Sequence, residues 1–223
     1  DELKGDKVSI KQGLVNLYKK ITSNETIIED ANVAFKDDNI LNGSNLTINE
    51  SKNGSTPTLN FINNVTSNIN YNLLTLNNDI NLKVDVDLKN EKMDTISANN
   101  FVNDNNHIIN VAEMILLSDA LKDETNIQFA DENLRQFVTT SVSEVAYSPV
   151  YKYRVQYNKD SGQFNFIRHY GCGSNSYLDL NPSVLAAPSA ANIGGYLNQL
   201  QSYDEAFYNL DNYMLLPKAK RLA

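Results

Sequence analysis

The sequence is poor in several residue types, and each shortage removes a class of function. Cys172 is the only cysteine among 223 residues, so the chain can form no internal disulfide, cysteine-based zinc site or Cys-x-x-Cys redox motif. Tryptophan is absent and only two histidines are present. No run of about 18 apolar residues occurs, so the sequence predicts no transmembrane helix. The P-loop, the dinucleotide fingerprint and Gly-x-Ser-x-Gly are missing as well.

The sequence also contains fewer basic than acidic residues. Nineteen Lys and Arg against 27 Asp and Glu give a net charge of -8 and a pI near 4.8, which argues against nucleic acid as a partner. With 41% hydrophobic and 21% charged residues, the chain has the composition of a folded protein. We expect one elongated domain that needs no cofactor and no metal.

What the chain does contain, over residues 26–111, is a series of short β-prone runs separated by asparagine-rich turns. Most runs carry an apolar side chain at every second residue, the pattern of a strand with one buried face. The runs are Asn32–Lys36, Asn45–Asn49, Thr58–Ile62, Asn68–Tyr71, Leu73–Leu76 and Ile80–Leu88.

The spacing of these runs indicates a repeating architecture. The apolar pairs Val33/Phe35, Leu46/Ile48 and Leu59/Phe61 recur at a step of 13 residues, which we interpret as successive rungs of a solenoid. Asparagines stacked above one another would share amide hydrogen bonds. Because parallel crossovers are almost always right-handed, the pattern predicts an all-β protein built on a right-handed parallel β-helix.

An antiparallel β-sandwich is the alternative, since it also combines short strands with regular turn signals. In that fold Asn42-Gly43 and Asn53-Gly54 would each form a tight hairpin turn.

The solenoid interpretation divides the chain into four segments. Residues 1–24 form an N-terminal cap with a short amphipathic helix, 25–144 the β-helix trunk, 145–180 a hairpin cap, and 181–223 a linker with a second helix. The first helix is predicted over Ser9–Ile21 because apolar residues recur there at steps of three and four, namely Ile10, Leu14, Leu17, Tyr18 and Ile21.

The hairpin cap has the clearest local signal. Residues 150–157 and 163–168 alternate on either side of a polar, glycine-containing loop, which predicts a β-hairpin. Its aromatic residues would either cover the far end of the trunk or form a platform on which a sugar ring stacks; they are Tyr151, Tyr153, Tyr157, Phe164 and Phe166.

A connector rich in proline and alanine, Asn181–Ser189, separates the hairpin from the second helix. That helix is predicted to end before Pro217, which cannot continue a helical hydrogen-bond pattern. Its apolar face consists of residues at steps of three and four: Ile193, Leu197, Leu200, Tyr203, Phe207, Leu210 and Met214.

Four short motifs in this C-terminal part carry a resemblance to a known family: Asn181-Pro-Ser-Val-Leu185, Gly195-Tyr-Leu-Asn-Gln-Leu200, Tyr203-Asp-Glu-Ala-Phe207 and Asn212-Tyr-Met-Leu-Leu-Pro217. They resemble the junction between passenger and barrel in bacterial autotransporters, the proteins of type V secretion. The resemblance implies a β-helical passenger that ends in a hairpin-rich segment where folding outside the cell begins. It also implies a helix that threads an outer-membrane β-barrel, the expected partner of residues 196–214.

Asp85 and Asp87 are the only candidate for chemistry in the trunk. They lie two apart on one strand, so their side chains share a face at a separation of about 7 Å, which paired carboxylates use in glycoside hydrolysis. Alternation with Val84, Val86 and Leu88 explains them without catalysis and favours a solvated outer face, and a calcium or sugar contact is a third interpretation.

These observations favour a non-enzymatic, surface-exposed or secreted passenger segment that serves display and adhesion at the bacterial cell surface or outer membrane. Its expected partners are the barrel, and a host surface or glycan. The alternatives are a carbohydrate-active enzyme using Asp85 and Asp87, and a glycan-binding module using the aromatic face of the hairpin.

Overall fold

The computed structural model describes residues 3–19, 21–37, 43–147 and 151–170, and most of these residues lie in β-strands. The strands are β1 Leu3–Leu17, β2 Ile21–Phe35, β3 Asn45–Ile48, β4 Thr58–Asn60, β5 Asn68–Leu76, β6 Ile80–Asp87, β7 Lys92–Met93, β8 Thr95–Val102, β9 Ile109–Ser118, β10 Glu124–Gln128, β11 Val138–Thr140, β12 Glu144–Ala146, β13 Tyr151–Asn158 and β14 Gln163–Tyr170. One short 3-10 helix, Arg135–Phe137, precedes β11. The all-β prediction is confirmed for this part of the chain.

Ten strands form one large sheet that curls into a half-barrel. Every strand pair in it is parallel except β6 with the two-residue β7. The sheet continues from β2 as two series of strands, which we call its first and second arms. Thr26–Ile28 of β2 pairs with β3 in the first arm, and Asn32–Ala34 pairs with β4 in the second. The first arm continues through β5 to β8, and the second through β6 and β9 to β11.

Within each arm the chain returns beside itself, and like residues stack in the core. The offset between partners is 18 residues for Leu3 beside Ile21 and 29 for Ile80 beside Ile109. Burying an aliphatic side chain contributes about 1.5–3 kcal/mol, so these rows stabilise the stack. The first arm stacks Ile10, Ile28, Ile48 and Leu76, and the second stacks Val33, Leu59, Leu82 and Val111, all of them buried.

The 13-residue step of the sequence corresponds to half of the chain segment that returns beside itself in one arm. Val33 lies beside Leu59, two steps away, whereas Leu46 pairs with Thr26 in the other arm. Our interpretation of each step as a whole rung was therefore wrong. The period arises because one return contains two buried strands, one in each arm.

Asparagines do link successive strands along the first arm, but they lie within the strands and not in the turns where the sequence placed them, and one of the three links joins two side chains. Asn45 Nδ2 donates to the Asn24 carbonyl at 2.8 Å, Asn72 Nδ2 donates to Asn45 Oδ1 at 2.7 Å, and Asn100 Nδ2 donates to the Asn72 carbonyl at 3.2 Å. A shorter ladder in the second arm joins Asn110 Nδ2 to Asn81 Oδ1 at 2.9 Å. The outward-facing amides thus link successive strands, in addition to the backbone ladder.

The predicted helix over Ser9–Ile21 is wrong, because Ser9–Leu17 belong to β1 and β2 begins at Ile21. Gln12 and Gly13 take φ of 60° and 85°, and this kink shifts the strand alternation by one residue. Ile10 before the kink is buried while Leu14 after it is 75% exposed. This one-residue shift in the strand alternation places apolar residues three and four positions apart, which is the spacing expected of a helix.

A four-stranded antiparallel sheet, ordered β10-β14-β13-β12, adjoins the parallel sheet, and all of its strands except β10 follow the parallel strands in sequence. The predicted hairpin forms its centre as β13 and β14. Strand β10 also pairs here, although it lies inside residues 25–144, which the sequence assigned to the trunk.

The antiparallel sheet is joined to the edge of β8. The Ile96 N–H donates to the Phe129 carbonyl at 3.1 Å. Beyond it, the Ala98 N–H donates to Asp131 Oδ2 and the Ala98 carbonyl accepts from Asn133 Nδ2, both at 2.9 Å. Side chains therefore replace a neighbouring strand along part of an edge that would otherwise invite pairing with another chain.

The predicted second helix, including its apolar face from Ile193 to Met214, lies outside the described residues. Within the ranges that the structure does describe, no helix is long and apolar enough to cross a membrane.

Two carboxylates at the bend of β2 hold the connection between β3 and β4. Glu29 Oε1 lies 2.7 Å from Lys52 Nζ, and this hydrogen bond lowers the pKa of Glu29 from its usual 4.5. Asp30 accepts hydrogen bonds from Ser51 and Ser55, and the Ser51 hydroxyl is the main reason that the pKa of Asp30 falls below its usual 3.8. Both groups favour their charged form in the folded state.

We expect the free energy of unfolding to fall as the pH drops below about 4.5. A carboxyl whose pKa is lower in the folded state stabilises the fold above its unfolded pKa and loses that contribution as the pH falls through its folded pKa. Denaturant titrations from pH 7 to pH 3 on the protein and on Asp30→Asn measure this effect. The variant should show the shallower loss, and identical profiles would exclude Asp30 as a contributor.

Candidate functional site

The four-stranded antiparallel sheet has one apolar and one polar face. Along β14, Phe164 and Phe166 are fully buried while Gln163, Asn165 and Ile167 between and around them are only partly covered. Strand β13 alternates in the same way, with Tyr153 buried and Gln156 exposed. The two faces therefore have separate roles.

The apolar face is part of the protein core. Phe164 contacts Phe129 with ring centroids 5.2 Å apart and Tyr157 with centroids 4.8 Å apart. Tyr153, Phe164 and Phe166 belong to the same hydrophobic cluster as the parallel sheet. These aromatic residues thus cover the neighbouring sheet, as one of our two interpretations expected.

The other interpretation, an aromatic platform for sugars, is wrong for Tyr153, Phe164 and Phe166, because no ring surface is left for a ligand. Tyr157 is half-buried, and its hydroxyl donates to the Arg135 carbonyl at 3.0 Å. The side chain of Tyr151 lies outside the described residues.

Tyr153 also anchors the segment that follows β9. Its hydroxyl donates to the Asp119 carboxylate and accepts from the Ala120 N–H at 2.9 Å. Arg168 Nε donates to the same hydroxyl at 3.3 Å, and its guanidinium lies 5.9 Å from the ring centroid. Burial and then the Asp119 carboxylate raise the pKa of Tyr153, so the phenol stays neutral and donates.

Removing this hydroxyl should destabilise the protein without opening a cavity. We expect Tyr153→Phe to lower the free energy of unfolding by about 1–3 kcal/mol, since the Ala120 N–H and the Asp119 carboxylate lose a partner in a buried setting. Chemical denaturation provides the measurement, with Tyr147→Phe as the matched control because Tyr147 is exposed. A loss no larger than that of the control would show that the hydroxyl contributes nothing.

The polar face carries the best candidate for a binding site. A groove of about 470 Å³ runs across β10, β14 and β13. Ten residues line it: Glu124, Asn126, Gln156, Tyr157, Asn158, Lys159, Ser161, Gln163, Asn165 and Ile167.

Strand register brings three of the amides into one row. Asn126 lies beside Asn165 and Asn165 lies beside Gln156. Asn165 Nδ2 donates to Asn126 Oδ1 at 2.8 Å and to Glu124 Oε1 at 2.5 Å. This network fixes the orientation of Asn165 in the middle of the groove.

A cluster of ionisable side chains adjoins the groove on the same face. Glu144 lies 2.7 Å from Lys152 Nζ and 2.9 Å from His169 Nε2. Partial burial opposes ionisation of Glu144, but these two partners hold its pKa below the usual value. The cluster joins β12, β13 and β14 and closes one end of the polar face.

Asp85 and Asp87 do not form the exposed pair that the sequence suggested. Asp85 is completely buried, and its Oδ2 accepts from the backbone N–H groups of Asn63 and Asn64, each at 2.7 Å. The interpretation of Asp85 as part of a solvated outer face is wrong, because the connection between β4 and β5 covers it.

Asp87 accepts from the Ser118 hydroxyl and from Asn90. Although burial opposes it, these hydrogen bonds lower the pKa of Asp87. Asp85 and Asp87 therefore both stabilise turns through their hydrogen bonds.

A second buried carboxylate beside Asp85 has the same role. Asp94 accepts from the Asp85 N–H at 2.7 Å and from the Ser67 N–H at 2.8 Å. Within the described ranges, no three His, Cys, Asp or Glu side chains are placed to hold a metal ion.

Comparison with known proteins adds no family. No family model matches the chain, and no curated protein matches it either.

The groove was missed at the sequence level although part of its signal was visible. In Gln163-Phe-Asn-Phe166, alternation places Gln163 and Asn165 opposite two phenylalanines, so a polar face follows once the aromatic face is buried. Nothing in the sequence pairs β10 with β14, and that pairing brings Glu124 and Asn126 into the groove.

Proposed function

We propose that this chain is a segment of an exported, surface-displayed protein in which the curled sheet is a right-handed parallel β-helix. The observation that carries the proposal is the order of the two sheets. Parallel strands that return beside themselves precede the antiparallel hairpin of β13 and β14, and the sheet of that hairpin, which also includes the earlier β10, joins the edge of β8 at the end of the first arm. That order agrees with the resemblance of residues 181–217 to the autotransporter junction.

The physical properties of such a stack suit export. Each turn of a solenoid contacts only its neighbours, so folding can begin at one stable end and propagate along the chain. The antiparallel sheet, with its aromatic core and satisfied β8 edge, would be the end that folds first. A near-absence of cysteine also prevents cross-linking in an oxidising compartment before passage.

In this proposal the segment is not an enzyme, and it displays or adheres at the bacterial surface. The buried, hydrogen-bonded state of Asp85 supports a structural role for the carboxylate on which the enzymatic alternative depended. Residues 193–214 would form a helix whose apolar face lodges inside an outer-membrane β-barrel.

The test is the gene sequence downstream of Ala223. We expect the reading frame to continue into strands that alternate apolar, lipid-facing residues with polar, lumen-facing ones. If the frame extends this way, protease added to intact cells should cleave the segment. A stop codon directly after Ala223, with no barrel gene beside it, would count decisively against the proposal.

A further inference from the structure

The groove on the antiparallel sheet contains hydrogen-bonding groups that the protein itself does not use. Among the described residues, the side-chain amides of Gln156 and Gln163 have no hydrogen-bond partner, and Asn126 uses only its oxygen. Each amide combines an acceptor oxygen with two N–H donors. A ligand that suits them must offer donors and acceptors on the same groups, as hydroxyls do.

The dimensions of the groove fit more than one ring. Its volume of about 470 Å³ lies in the range of small-molecule sites. The row Asn126, Asn165 and Gln156 spans two strand spacings, about 10 Å, so a ligand lying along it would meet an amide at each strand. Ile167 and the half-buried Tyr157 add apolar surface to the lining.

The charged side chains in the groove argue against a preference for an anionic ligand. Glu124 and Lys159 are the only ionisable side chains in its lining besides the phenol of Tyr157. No arginine is present there to make the bidentate contacts that sulfate, phosphate or carboxylate groups favour. The net charge of -8 further disfavours anions.

We propose that this groove binds a neutral oligosaccharide whose hydroxyls are bonded by Asn126, Gln156 and Gln163. The site lies opposite the buried aromatic face, so binding needs no rearrangement of the core. It gives the proposed display function a ligand class, but it rests on the groove alone and holds whether or not a barrel follows.

The experiment uses the purified full chain on an array of immobilised glycans. Neutral oligosaccharides are printed beside sialylated and sulfated ones, with mammalian glycans separated from bacterial and plant polysaccharide fragments to distinguish the source. The strongest neutral binder is then titrated by calorimetry. We expect binding to neutral glycans that persists at high salt, because neutral hydrogen bonds are not screened.

Variants locate the site. Asn126→Ala and Gln156→Ala should each weaken binding about two- to twelvefold, since a neutral hydrogen bond contributes about 0.5–1.5 kcal/mol, and the double variant should weaken it further. Asn105→Ala is the matched control, because Asn105 is an exposed amide in the turn between β8 and β9 and does not line the groove. Thermal unfolding establishes that every variant is folded.

Three results would overturn the proposal: no neutral glycan bound by the unmodified chain, full binding by the folded double variant, or binding confined to charged glycans and lost at high salt. None of these results depends on export. A failed display experiment and a failed binding experiment therefore remain distinguishable.

Discussion

Replacing Gly162 by alanine is expected to detach the hairpin tip from the strand connection it packs against. Gly162 has φ of +72°, and a Cβ there would lie 2.4 Å from the Ala130 carbonyl oxygen. The Gly162 carbonyl accepts from the Phe129 and Ala130 N–H groups at 3.0 and 3.2 Å, and the clash would disrupt both bonds.

We expect Gly162→Ala to lower the free energy of unfolding by about 3–4 kcal/mol. About 1–2 kcal/mol comes from the left-handed backbone, and about 1 kcal/mol from each lost hydrogen bond. Gly54→Ala separates the two causes, because Gly54 has φ of +78° but nothing within 4 Å of its Cβ position. The control should lose only the backbone contribution, so equal losses in urea denaturation would contradict the proposed docking of the hairpin tip.

Loss of the Asp85 carboxylate is expected to have a comparable effect. Asp85→Ala removes the acceptor of two short backbone hydrogen bonds, from Asn63 and Asn64, and leaving a buried donor without a partner costs about 1–3 kcal/mol each. The free energy of unfolding should therefore fall by about 3–5 kcal/mol. Urea denaturation followed by circular dichroism measures it.

Asp87→Ala provides the comparison on the same strand. Asp87 is partly exposed, and its partners Asn90 and Ser118 lie nearer the solvent. We expect a loss of about 0.5–1.5 kcal/mol. Equal effects for the two variants would mean that Asp85 is not the buried anchor that its contacts indicate.

The strand pattern was the most predictable part of the fold. Alternation located the strands at Asn45–Ile48, Thr58–Asn60 and Ile80–Asp87 within one or two residues, because one face of each is buried. Stacking of asparagines was predicted for the turns but occurs within the strands, because parallel strands place equivalent side chains directly above one another.

The errors of sequence interpretation have identifiable physical causes. The positive φ of Gln12 and Gly13 shifts the alternation of β1 and creates a false helical period. Asp85 has the alternation of an exposed residue, and only the tertiary position of Asn63 and Asn64 buries it.

The groove could not be predicted from the sequence for a different reason. Asn126 and Asn165, which share its central hydrogen bond, are 39 residues apart in sequence. Local patterns assign a face to each residue, whereas a binding site depends on which strands become neighbours.

The central claim, a parallel stack in two arms, is tested most directly by cysteine cross-linking in a Cys172→Ser background. Thr47 pairs with Thr75, and Asn60 with Lys83, in the parallel register, at strand spacings of about 4.8 Å that a disulfide can bridge. A hairpin turn at Asn53-Gly54, as in an antiparallel sandwich, would instead place Thr47 opposite Asn60. Efficient oxidation of the 47/75 and 60/83 pairs with none for 47/60 is the predicted result, and cross-linking of 47/60 alone would contradict the account.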